Sequence, residues 1–140
     1  YALLQEMLKA KHIKIETITT YPNGKWMIND LYVSMTHTKT GVAVMLSDEN
    51  DSIDMETIRK IDEPLLRHTL CENEQKFLQE SRDQDEAFTI CWTFKEALIK
   101  QLFEEKAMSY RSIDTTSLFE KGICIRHKDT IITVLKEVMK

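Results

Sequence analysis

A chain of 140 residues with 42% apolar and 30% charged residues can bury one core of ordinary size. Its net charge of −4 is scattered and no basic run occurs, which argues against a general nucleic-acid binder. No apolar run could cross a membrane and no signal peptide is visible. The three cysteines, Cys71, Cys91 and Cys124, are odd in number and form no C-x-x-C pair. They are expected as free thiols, Cys91 and Cys124 buried, in a reducing and hence cytoplasmic compartment.

The chain opens at Tyr1 inside an apparent helix, with Leu3, Leu4, Met7 and Leu8 on one face, so further residues are expected upstream. Alternation over residues 12 to 20 predicts a strand. Pro22-Asn23-Gly24 and Asn29-Asp30 are turn signals around Lys25 to Ile28. Leu31 to Thr38 reads as a strand, turning through Lys39-Thr40-Gly41 into Val42 to Leu46. After a polar loop, Ser52 to Glu56 is strand-like, and these strands together predict an antiparallel meander. Helical spacing follows over 61–70 and 72–78, then a polar break at 81–84. Residues 107–117 have no clear pattern. Gly122 to Arg126 and Thr130 to Leu135 read as two strands joined at His127-Lys128-Asp129. Strands, then helices, then strands predict an α+β fold, an antiparallel sheet packed against helices.

The long helix over 85–104 organises the rest. Ala87, Cys91, Phe94, Leu98 and Leu102 form one apolar stripe, and Phe88, Trp92, Ile99 and Phe103 a second beside it. Glu96 falls on the second stripe and Lys100 stands at i+4 from it. A carboxylate there needs a cation, and the commonplace reading is an internal Glu96–Lys100 ion pair. In Ile53-Asp54-Met55-Glu56 the strand period puts Asp54 and Glu56 on one face, about 7 Å apart. Such a pair is a solvated strand edge or, taken with Glu96, an all-oxygen ligand set for Mg²⁺ or Mn²⁺. His37 at a strand end is an ordinary surface group, or with Thr36, Thr38 and Lys39 a phosphate holder. Neither a Gly-rich phosphate loop nor a nucleophile elbow occurs, which excludes P-loop kinases and Rossmann dehydrogenases.

In their order these pieces resemble the 4′-phosphopantetheinyl transferases of the surfactin-synthetase-activating type. The resemblance rests on Met35-Thr36-His37-Thr38, on Ser52-Ile53-Asp54-Met55-Glu56 and on Trp92-Thr93-Phe94-Lys95-Glu96-Ala97 followed by Lys100. The turn Asn23-Gly24-Lys25 is similar to that family's Gly-Lys-Pro. Ser52 stands where the family has Gly, and Trp26 where it has Pro. Members have two similar lobes; on that pattern residues 1–38 are the end of a first lobe and 41–140 a second, within one domain spanning 1–140.

The resemblance implies an enzyme that moves 4′-phosphopantetheine from coenzyme A to a serine of an acyl or peptidyl carrier protein, a holo-acyl-carrier-protein synthase activity. It implies Mg²⁺ (or Mn²⁺) on Asp54, Glu56 and Glu96, with Glu96 also the candidate base. Lys100, with help from Lys95, would meet the transferred phosphate. Lys25, Thr36 and His37 would hold phosphates of coenzyme A. A homo-oligomer is compatible with it, and the alternative reading is a catalytically weak relative that binds carrier proteins.

Overall fold

The computed structural model describes residues 1–22, 24–102 and 109–138. The helical continuation from Phe103 to Met108, and Asn23 of the first turn, lie outside them. Helix α1 (Ala2–Ala10) is followed by strands β1 (Ile18–Thr20), β2 (Trp26–Ile28), β3 (Leu31–His37), β4 (Val42–Ser47) and β5 (Ser52–Thr57). Helices α2 (Glu63–Thr69), α3 (Glu72–Gln79) and α4 (Gln84–Lys100) come next. Two short 3-10 turns, Tyr110–Ser112 and Thr115–Lys121, lead to β6 (Gly122–His127) and β7 (Thr130–Leu135). Helices packed on antiparallel sheets make this an α+β fold, in line with the reading of the sequence.

The meander is real, but it stops one strand earlier than expected. β1-β2-β3-β4 form one antiparallel sheet, and β5 leaves it to pair with β7 in a second sheet ordered β5-β7-β6. The first strand is also shorter than the alternation suggested. The carboxamide of Asn29 accepts from the amides of Glu16 and Thr17 and donates to the Lys14 carbonyl. A side chain thus takes the place of a ladder over that stretch, and pairing starts only at Ile18, opposite Ile28. Asn29 itself has φ +53, a conformation Asn tolerates in the tight turn between β2 and β3.

Helix α4 is the central element. Asp83 caps its start by accepting from the Glu86 amide at 3.0 Å. Ala87, Cys91 and Phe94 of the first expected stripe are buried, its Leu98 and Leu102 are half-buried, and Phe88 of the second stripe and Ala97 are buried beside them. Against them pack Leu70 and Leu78 from the preceding helices and Leu118 and Leu135 from the following segments. The helix ends at Lys100, four residues short of the expected end. Gln101 is buried there and bonds Ser52, Leu135 and Lys136 through its carboxamide nitrogen and the Val138 amide through its oxygen. One residue therefore joins the end of α4 to the start of β5 and the end of β7.

A third tie runs through Ser52, whose hydroxyl donates to the Ala97 carbonyl at 2.6 Å. All three cysteines are free. Cys91 is fully buried, and burial pushes its thiol up to about 12; Cys124 is half-buried, not enclosed as expected. Among the described residues no helix is long and apolar enough to cross a membrane.

Candidate active site

The C-terminal half of α4 lies against β5, so the side chains of Glu96 and Lys100 are brought to Asp54 and Glu56. The close ion pair is not Glu96–Lys100. Lys100 Nζ meets Asp54 Oδ1 at 3.0 Å and donates also to the carbonyls of Met35 (3.0 Å) and Ile53 (2.9 Å). Two backbone carbonyls fix the ammonium head, which is why it leaves its own helix for the strand. Glu96 instead accepts from the Tyr110 hydroxyl on Oε1 at 2.9 Å.

Asp54 is 4% exposed, and only one of its oxygens is served. Oδ1 has Lys100 and, more distantly, the Thr36 hydroxyl; Oδ2 is buried with no partner among the described residues. Burial raises its carboxyl to about 6, opposed by Lys100 and reinforced by the charges of Glu56 and Glu96. Glu56 is raised too, by burial first, with the Trp92 indole opposing and Glu96 adding. Each carboxylate thus lies within the field of the other two. Asp54 and Glu56 share the α4 side of β5, and the solvated-edge reading fails because Asp54 is enclosed.

Do these residues suit a divalent cation? Among the described residues no group of three or more His, Cys, Asp or Glu is placed so that it could hold a metal ion. The donor chemistry still fits a hard ion: burial first and neighbouring acids second raise Asp54 and Glu56, Glu96 stands beside them, and a buried oxygen has no partner among the described residues. A bound cation would stabilise the ionised forms that burial and mutual repulsion now oppose.

The family model of the 4′-phosphopantetheinyl transferase superfamily matches residues 52–137, from the start of β5 to just beyond β7. The chain belongs to this superfamily. A search of curated proteins finds no match to it. The matched span holds Asp54, Glu56, Glu96 and Lys100 and leaves the first sheet, with Lys25, Thr36 and His37, outside.

For a phosphopantetheinyl transferase the remaining expected residues fall in different places. Lys25 is buried beside the end of α4, donating to the Lys100 carbonyl at 3.0 Å and standing 5.4 Å from the centre of the Tyr32 ring. Burial lowers its ammonium to about 8, with Glu137 opposing. Lys25, Lys100, Trp26, Ser34 and Met35 line a cavity of about 240 Å³. Thr36 is buried and turned to β5, accepting from the Met55 amide at 3.1 Å and donating to Asp54. It supports the acid rather than opening to a ligand. His37 is exposed at the end of β3. Strand alternation puts it with Val33 and Met35, which pack toward α1, and away from Thr36 and Asp54.

Lys95 points away from the carboxylates. Its side chain is 0% exposed, and its three protons go to Glu74 Oε1 (2.7 Å) and the carbonyls of Tyr110 (2.6 Å) and Ile113 (2.5 Å). A phosphate would find no proton left. Glu74, itself fully buried, also receives the Cys71 amide and the amide and hydroxyl of Thr115. Sequence reasoning missed Glu74 and Tyr110. Nothing in the spacing of residues 107–117 signals Tyr110; its carbonyl accepts from the Lys95 ammonium while its hydroxyl reaches Glu96.

Proposed function

We propose that the chain transfers 4′-phosphopantetheine from coenzyme A to a serine hydroxyl of an acyl or peptidyl carrier protein, using Mg²⁺. One observation carries the reading: the buried Asp54 has Lys100 on one oxygen and an unserved second oxygen, in the field of Glu56 and Glu96. Asp54, Glu56 and Glu96 would hold the cation. When bound it would neutralise charge on the pyrophosphate of coenzyme A.

The serine oxygen attacks the phosphorus that bears pantetheine, and the bond from that phosphorus to the bridging pyrophosphate oxygen breaks. Adenosine 3′,5′-bisphosphate leaves, and the serine proton passes to Glu96. Lys100, whose three protons go to two carbonyls and Asp54, would act on the reacting phosphate through its positive charge and not as a hydrogen-bond donor. The cavity shared by Lys25 and Lys100 suits a further phosphate of the nucleotide. His37, on the outer side of β3, has no part in this reading. The three free thiols suit a reducing cytoplasm.

Incubation with coenzyme A, Mg²⁺ and an apo-carrier protein should add the pantetheine arm, read as a mass increase of the carrier. Glu96→Gln should abolish the increase while leaving the melting temperature in metal-free buffer nearly unchanged. Carrier proteins of several pathways all binding but none gaining mass would refute transfer and leave a carrier-binding protein.

A further inference from the structure

A carboxylate that must be both cation ligand and base needs its orientation fixed by something else. Glu96 projects from α4 on a half-buried stripe, and its own helix supplies no partner: Lys100, one turn on, is committed to Asp54. The partner comes from the segment after α4. The Tyr110 hydroxyl donates to Glu96 Oε1 at 2.9 Å. Tyr110 is itself held at two points, its ring and its backbone. It stacks on Trp92 with centroids 4.8 Å apart, and Trp92 stacks in turn near Phe88, at 6.3 Å. Its backbone carbonyl accepts from Lys95, whose ammonium is anchored in the fully buried pair with Glu74.

We infer that Tyr110 is a positioning residue for Glu96, held in place by the buried Lys95–Glu74 pair, and this rests on the transferase reading above. One oxygen of Glu96 is turned to the phenol, and the other is left for the cation and for the serine proton. Lys95, which the family resemblance offered as a helper at the phosphate, acts instead on the opposite side of the helix. Hydrogen-bonded partners of metal ligands are commonly worth about 10–100-fold in metal affinity.

Tyr110→Phe tests this, because it keeps the ring that stacks on Trp92 and removes the donor. Mn²⁺ binding to the whole chain, followed by the loss of the free-ion resonance signal, should weaken about tenfold or more. The melting temperature in chelator should stay close to that of the unchanged protein. In a Glu96→Gln background the same Tyr110→Phe change should cost almost nothing further, since the phenol acts through that carboxylate. Unchanged Mn²⁺ affinity in Tyr110→Phe, or an equal loss in both backgrounds, overturns the inference while leaving the transferase reading standing. Failure of the unchanged protein to bind Mn²⁺ at all would sink both.

Discussion

Replacing Lys95 by methionine keeps the length of the stem and removes the ammonium, so it separates two accounts of this residue. In the structure the ammonium and the Glu74 carboxylate are both 0% exposed and 2.7 Å apart. Removing one member of such a pair costs about 3–5 kcal/mol, because the other charge stays buried. Glu74 would keep the Cys71 amide and both donors of Thr115, which places the cost toward the lower end. The carbonyls of Tyr110 and Ile113 would each lose a donor and push it back up. A loss of about 3–4 kcal/mol is a large part of the roughly 5–15 kcal/mol that holds a domain together. At this chain length it should lower the melting temperature by about 10–15 °C, measured by calorimetry in chelator. Adding Glu74→Gln removes the stranded charge, keeps an acceptor for the Cys71 amide, and should restore more than half of that loss. Suppose instead that Lys95→Met melts within about 2 °C of the unchanged protein and loses coenzyme A binding by calorimetric titration. The buried-pair account would then be wrong, and Lys95 would be the phosphate ligand that the family resemblance implied.

Two further outcomes can be checked. Asp54 is raised from 3.8 to about 6 in the folded chain, so the native state holds this proton more tightly than the unfolded one. Its contribution therefore favours the metal-free fold at low pH and is lost as pH rises from about 4 through about 6. Between about pH 4.5 and about pH 7.5 the loss is about 2 kcal/mol. Urea unfolding in chelator should show that much less dependence on pH in Asp54→Asn, and equal dependence in the two proteins would refute the assignment. Gly122→Ala would place a methyl group 2.6 Å from Phe94 Cε1 and 3.1 Å from the Val134 carbonyl. Phe94 is buried against Phe119 and cannot swing clear, so about 1–3 kcal/mol of stability should be lost in denaturant titration. A change within about 0.5 kcal/mol would show that the ring yields.

What could be read from the residues was local and periodic. The turns at Asn29-Asp30 and Thr38 to Gly41, the two last strands and the long helix follow from spacing and turn chemistry that each segment carries by itself. The Asp-x-Glu strand was legible as an acidic face for the same reason. Which partner each ion takes was not legible. At i+4 Lys100 is within reach of Glu96, but two carbonyls and a buried carboxylate from distant strands outweigh one half-buried neighbour, and no helical rule contains them. Lys95 shows the same limit in the other direction. A lysine next to a candidate ligand reads as functional, although its three acceptors come from residues 74, 110 and 113. Tyr110 sits in a stretch with no period at all, so its bond to Glu96 could be seen only once the chain had folded.

The departure of β5 from the meander also explains how Lys100 comes to be available. β5 pairs with β7 along one edge, and its other edge faces β3 without forming a ladder. There the amides of Ile53 and Met55 are met by hydroxyls, Ser34 at 3.0 Å and Thr36 at 3.1 Å. Side chains in place of backbone hold the two strands farther apart than the roughly 5 Å of paired strands. The carbonyls of Met35 and Ile53, which a continuous sheet would consume in its ladder, are left as acceptors in that gap. Lys100 takes both, and so its ammonium is drawn off α4 to Asp54. Had Ser34 and Thr36 been apolar, the two amides would be buried without partners, and the pressure would be to close the gap as a ladder. The small hydroxyls on β3 are thus as necessary to the placement of the Lys100 ammonium as the acidic strand is.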